Sequence, residues 1–240
     1  MNKTTTQLKS LITKELRVYF NSPIAYIFVV ALLGFMFWYF FRNFFLVGQA
    51  DMRAFFDLMP WIFLFLIPAL TMRLWSEEIR QGTIETLLTS SVPLYIVVIG
   101  KYLASMIFLL ISLALTMVLP IVISSIGNLD WGVVLVAYFG TLLLGSAYIT
   151  IGLLVSSLTR NQIVAFIISV VISFTLFIIS QPIVTYSLPA YVVPFIDFIS
   201  FGSHYSSIIR GVIDSRDVIY YLSFTALLLY INTQILSLKR

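Results

Sequence analysis

The sequence predicts an all-α polytopic membrane protein on three observations. The 240 residues are 60% hydrophobic with a mean hydropathy of +1.04; six apolar runs approach or exceed the length of a bilayer span; and the few charged residues, 10% of the chain, gather between those runs. A helix rises about 1.5 Å per residue, so roughly 20 apolar residues cover a hydrocarbon layer of about 30 Å. The runs are Ile24 to Phe41, Phe55 to Met72, Tyr95 to Ser124, Gly132 to Ser156, Ile163 to Ser180 and Val218 to Leu236. They leave no room for a separate soluble domain, so residues 1–240 read as a single transmembrane domain.

Ahead of the first run, residues 1–22 contain Leu8, Leu11, Ile12 and Tyr19 at helical spacing on one face, with Lys9, Lys14 and Arg17 elsewhere around the helix. Such a helix lies in the membrane interface, its basic groups near anionic headgroups. Four basic residues before an apolar run also resemble the start of a signal peptide. That run is long, bulky and aromatic and ends in no small-residue cleavage site, which makes it an uncleaved first helix. Asn21-Ser22-Pro23 turns the chain into that span, Ser22 as cap and Pro23 in the first helical turn. The cluster FMFWYFFRNFF (Phe35 to Phe45) at its far end reads as an aromatic belt at headgroup level.

Between the second and third runs lies RLWSEEIRQGTIETLLTSSVP, and three of the chain's four glutamates fall in this stretch. Apolar Leu74, Ile79, Ile84, Leu87 and Leu88 alternate with polar residues, Gly82 offers a tight turn, and Ser90, Ser91 and Pro93 precede the next span. Residues 73–94 are therefore expected to form one or two short helices at the membrane face, their charged groups turned to water or to another protein. The third run is long enough to tilt or to project beyond the bilayer. In the fourth, Gly140, Gly145, Ser146 and Ala147, with Gly152 beyond, permit close helix approach, which a contact between two copies would use. Residues 181–217 are apolar but broken by Pro182, Pro189, Pro194 and Gly202, and read as interfacial or re-entrant pieces, since free backbone groups go unsatisfied in lipid.

Sidedness follows from charge. Alternate loops and both termini hold ten of the fourteen basic residues: Lys3, Lys9, Lys14, Arg17, Arg73, Arg80, Lys101, Arg160, Lys239 and Arg240. Arg42, Arg53, Arg210 and Arg216 fall on the other side. The positive-inside rule makes the first side cytoplasmic, with both termini. All four glutamates share it (Glu15, Glu77, Glu78, Glu85), and all six aspartates lie opposite (Asp51, Asp57, Asp130, Asp197, Asp214, Asp217). Ten basic groups against four glutamates give +6 inside, and four against six aspartates give −2 outside, together the +4 of the chain. Orientation thus accounts for the positive balance, and no basic patch interleaved with aromatics suggests a nucleic-acid partner.

Catalytic readings find little support. The chain has no cysteine, hence no disulfide, thiolate metal site or cysteine nucleophile. The pair Gly100-Lys101 is followed by Tyr102 and lacks the upstream glycine of a phosphate-cradling loop, so no ATP or other cofactor is expected on this chain. The one histidine, His204, follows Ser203, but adjacent helical residues point apart and no acid stands at a helpful helical spacing. No HExxH pattern occurs, so no metal site is expected. None of the ionisable residues is assigned to the middle of a span, where ion-coupled carriers place them.

Three stretches carry a family likeness: KELRVYFNSPIAYIF, RLWSEEIRQGTIETLLTSSVPLYIVVIGKYLA and GSHYSSIIRGVIDSRDVIYYLSFTALLLY. With six spans, the pattern resembles the permease subunits of type-2 ABC exporters (the ABC-2 superfamily), among them the nitrous-oxide-reductase maturation permease and, more closely, the gliding-motility ABC transporter permease. The resemblance implies a non-catalytic subunit of the bacterial plasma (inner) membrane. It would work with a second permease, as homo- or heterodimer, and with cytoplasmic ABC ATPase subunits that carry ATP and Mg. It implies that the 73–94 segment couples to the ATPase through Arg73, Glu77, Glu78, Arg80, Gln81, Gly82, Thr83 and Glu85. It also implies that Phe195, Phe198, Phe201 and Tyr205 close the outer exit. A mechanotransmission or scaffold component that moves no substrate would share the coupling loop.

Overall fold

The computed structural model describes residues 3–47, 51–88, 92–189 and 191–239, and every regular element among them is a helix. Helix α1 (Lys3–Phe20) lies against the start of the third span, Leu8 and Leu11 closing on Gly100. Helix α2 (Pro23–Val47) begins at Pro23, where its missing N–H costs nothing, and Ser22 Oγ accepts from the Ile24 amide at 3.3 Å.

Helix α3 (Arg53–Thr71) is followed by α4 (Arg73–Gln81), and Met72 between them keeps right-handed helical angles. The two make one 29-residue run, Arg53–Gln81. The first half of the expected loop is thus a continuation of the second span. Gly82 ends α4 at φ 73°, a left-handed conformation that glycine adopts without the Cβ penalty, and α5 (Thr83–Leu88) turns away from it. Ser90 and Ser91 lie outside the described residues.

The third span is one 33-residue run, Leu94–Ile126, in which α6 (Leu94–Thr116) and α7 (Val118–Ile126) join at Met117, which keeps right-handed helical angles. Pro120 marks the join: it lacks the N–H that would reach the Thr116 carbonyl, and its ring crowds that carbonyl. Helix α8 (Trp131–Leu158) is capped by Asp130, whose side chain accepts from the Gly132 and Val133 amides, and α9 (Gln162–Ile178) by Asn161. Three short helices follow, α10 (Pro182–Thr185), α11 (Val193–Ile199) and α12 (Phe201–Ile208), none long enough to cross a bilayer, as the proline spacing predicts. Helix α13 (Ser215–Ser237) closes the fold, capped by Asp214.

Among the described residues five runs are long and apolar enough to span a membrane, and the 17-residue α9 is a shorter apolar sixth. At the centre stands α8, packed against α3, α4, α6, α9, α12 and α13. Its small residues are used inside the chain rather than kept for a second copy. A Cβ on Gly140 would meet Ile208 at 2.5 Å, on Gly145 Leu109 at 2.3 Å, and on Gly152 the Thr71 hydroxyl at 1.9 Å. The close approach expected between two subunits is realised between elements of one.

The charges separate to two ends. One, the base, gathers α1, α4, Lys101, Arg160 and Lys239, the last donating to the Ser157 carbonyl at 2.5 Å. Burial, with Arg160 nearby, holds the Lys239 ammonium below its ordinary range. The opposite end gathers Asp51, Arg53, Asp130 and Arg210 around one cavity and Asp197, Asp214, Arg216 and Asp217 around another.

Candidate functional site

Lys101 organises the base. It is the eighth residue of α6, 2% exposed, with Nζ at 2.8 Å from Glu78 Oε1 of α4 and 3.1 Å from Glu15 Oε1 of α1. The ammonium also stands 4.8 Å from the centroid of the fully buried Trp75 ring, where the negative face of the indole favours a cation. Three elements far apart in sequence thus converge on one buried charge.

The contacts extend outward from there. Ser105 Oγ bonds the Lys101 carbonyl at 3.0 Å and the Tyr19 hydroxyl at 2.7 Å. Tyr19, 1% exposed, stacks on Phe108, and burial pushes its phenol well above the ordinary value, keeping it neutral. Arg73 lies over the Tyr19 ring at 5.6 Å and donates from Nη1 to Ser22 Oγ at 2.5 Å. Lys101 with its two carboxylates carries a formal charge of −1.

The side chains expected to meet an ATPase are not presented alike. Glu78 turns inward onto Lys101, its side chain 20% exposed. Arg73 reaches back to Ser22 at the start of α2. Glu77 is half-buried and accepts from Gln81 at 3.1 Å, and Thr83 donates to the Glu78 carbonyl at 3.4 Å across the Gly82 turn. Arg80, Gln81, Gly82, Thr83 and Glu85 are exposed around that turn. The sequence reading missed Glu15 and Lys101 as a site. The signal was present in both: Glu15 falls four residues after Leu11 and four before Tyr19, on the apolar face of α1, and Lys101 lies within an apolar run. A charge on a buried face requires a partner.

At the opposite end, the four aromatics expected to close an exit separate into two pairs. Phe195 and Phe198 on α11 are 67% and 68% exposed, whereas Phe201 and Tyr205 on α12 are buried in the core. Ser200 ends α11 and caps α12, so the helical phase restarts between the pairs. Tyr205 bonds Thr141 at 3.1 Å and donates to the Phe56 carbonyl at 2.8 Å. That carbonyl is the one Pro60 leaves without its helical donor, so a hydroxyl from α12 satisfies the gap in α3.

His204 departs from expectation. Although no acid stands at helical spacing, Asp217 at the start of α13 brings Oδ1 to 2.6 Å from its Nδ1, and the ring stacks on Tyr220 at 4.0 Å. Ser203 donates to the carbonyls of Asp197 and Ser200 rather than to the imidazole, so no serine nucleophile is assembled. Among the described residues no group of three or more histidines or carboxylates could hold a metal.

The long apolar helices packed around the central α8 define a multi-pass membrane protein. The family model of the ABC-2 family transporter protein matches residues 44–237, most of the chain, and the chain belongs to that family. It is a membrane permease component of an ABC transporter, and the family implies ABC ATPase subunits as its partners. Comparison with curated proteins finds no match.

Proposed function

We propose that this chain is one half of a type-2 ABC exporter in the bacterial inner membrane, linked to gliding motility or secretion. The base and both termini face the cytoplasm. ATP, with Mg, is bound and hydrolysed by separate ATPase subunits, and a second permease completes the assembly. The α4–α5 turn docks on the ATPase through Glu77, Arg80, Gln81, Thr83 and Glu85, while Arg73 and Glu78 hold that turn to the membrane part. Carrying this reading is the Lys101 cluster, through which α4 cannot move without displacing α1 and α6 or breaking two buried charge contacts. Because α4 continues α3, force on the turn also enters the second span along its axis.

The test is co-purification in mild detergent. Arg80→Glu with Thr83→Lys, both at exposed positions, should abolish recovery of the ATPase while changing stability by no more than about 0.5 kcal/mol. Undiminished recovery of the ATPase would refute the docking assignment.

One observation favours a second reading, a mechanical component through which nothing passes. Buried hydroxyls in the spans, Ser105, Ser112, Thr141, Thr150 and Ser169, all bond carbonyls of their own helices. That reading predicts the same ATPase partner and an ATP-dependent change in cross-linking at α11, without solute movement in sealed vesicles.

A further inference from the structure

Between α1 and α4, beside the residue where α2 starts, lies an open cleft of about 950 Å³. Lys9, Lys14 and Arg17 line it from α1 and Arg73 from α4, against one acid, Glu77, so the walls carry a formal charge of +3. None of the four cations has a carboxylate within ion-pair distance among the described residues, and Arg73 Nη2 has no hydrogen-bond partner. Lys101, by contrast, is neutralised by Glu15 and Glu78, on the floor of the adjoining smaller cavity that shares Lys14, Arg73 and Glu77.

The cleft continues into an apolar track. Pro23 lines its edge, and Tyr26, Ile27 and Val30 follow on the same face of α2 at three, four and seven residues' spacing. They are 59%, 64% and 70% exposed, and Val18 of α1, also lining the cleft, is 48% exposed. An unneutralised cationic cleft directly above an exposed apolar stripe has the two-part chemistry of a phospholipid: phosphate above, acyl chain below.

We propose that this cleft is a specific site for the phosphate headgroup of an anionic membrane phospholipid, with an acyl chain along Tyr26, Ile27 and Val30. Lys9, Lys14 and Arg17 attract the phosphate, and Arg73 and Glu77 form the opposite wall. A soluble phosphate could meet the same cations but would gain nothing from the α2 stripe. Of the proposed docking residues only Glu77 also lines the cleft, and the cations that would hold the phosphate lie outside that turn, so the inference stands independently of the ATPase.

The experiment is native mass spectrometry of the full chain in detergent, titrated with phosphatidylglycerol, with phosphatidylcholine and with inorganic phosphate. Phosphatidylglycerol should be retained preferentially. Lys9→Gln/Lys14→Gln/Arg17→Gln should weaken its retention about tenfold or more. Arg42→Gln, an exposed cation on the far part of α2, should leave it unchanged. All three α1 positions are exposed, and the charge-conserving Lys9→Arg/Lys14→Arg/Arg17→Lys should retain the lipid, which separates lost charge from lost fold. Equal retention of phosphatidylglycerol and phosphatidylcholine, or undiminished retention by the glutamine variant, would overturn the site. Displacement of phosphatidylglycerol by equimolar inorganic phosphate would show a soluble phosphate site and overturn its assignment to lipid.

Discussion

The two ends of the molecule use charge differently. At the base, a 2% exposed ammonium is held between carboxylates of two other elements, one 86 residues away in sequence and one 23. At the opposite end, His204 and Asp217 are 13 residues apart, on helices joined by a short connection, and they line an open cavity of about 630 Å³. The first arrangement ties three elements, two of them distant in sequence, around one ammonium; the second clasps two neighbouring helices at the wall of an open cavity. A buried charge shared by two partners costs much if it alone is removed and little if all three groups are neutralised together. The base is therefore the end at which a displacement of one element must be felt by others.

The largest effect should follow from leaving the base charges uncompensated. Lys101→Ala deprives Glu15 and Glu78 of the cation they share, and a loss of about 3–5 kcal/mol is expected, read as a sharp fall in folded yield and in melting temperature. Neutralising the whole cluster, Lys101→Met with Glu15→Gln and Glu78→Gln, should restore most of that stability. If the cluster transmits force, the neutral variant will assemble with its ATPase yet show no coupled activity. A neutral variant that is fully coupled would reduce the cluster to a packing device.

A smaller effect is expected at the other end from Tyr205→Phe, which removes the donor to the Phe56 carbonyl that Pro60 leaves unpaired. One unsatisfied buried carbonyl costs about 1–3 kcal/mol. The double variant Tyr205→Phe/Pro60→Ala, which restores the helical N–H, should recover most of the loss. Failure to recover would mean that Tyr205 acts through Thr141 rather than through the proline gap.

Much of the fold was legible because a bilayer imposes a length and forbids open backbone. Six apolar runs gave the spans, and Asp130, Asn161 and Asp214 cap helices within a few residues of the predicted starts. Pro120 marks only a local loss of one helical bond near Met117, and the single long run that the sequence predicts persists through it. Charge counting set Lys101 among the loop residues, and so hid that a lysine a full turn inside a span needs an anion from elsewhere. Helical spacing could not find Asp217 for His204, since their contact crosses the turn at Gly211, where φ is 86° and the periodicity ends. The pairing of Phe195 with Phe198, and of Phe201 with Tyr205, depended on one cap at Ser200, a local event that composition averages away.

The smallest effect should come from Asp217→Asn. The amide oxygen can still accept from His204, and the stack on Tyr220 is unaffected, so the geometric part of the clasp is kept. What is lost is charge: Asp217 lies in the first turn of α13, where a carboxylate meets the positive end of the helix dipole, and beside an imidazole able to carry a proton. A loss of about 0.5–1 kcal/mol is expected in low salt, declining as salt screens the exposed cavity, whereas Lys101→Ala should be nearly insensitive to salt. Thermal melting of both variants at two ionic strengths measures this contrast. A salt-independent loss of the same size as that of Lys101→Ala would show that the His204–Asp217 pair binds its helices together as firmly as the base cluster does, and the distinction between the two ends would fail.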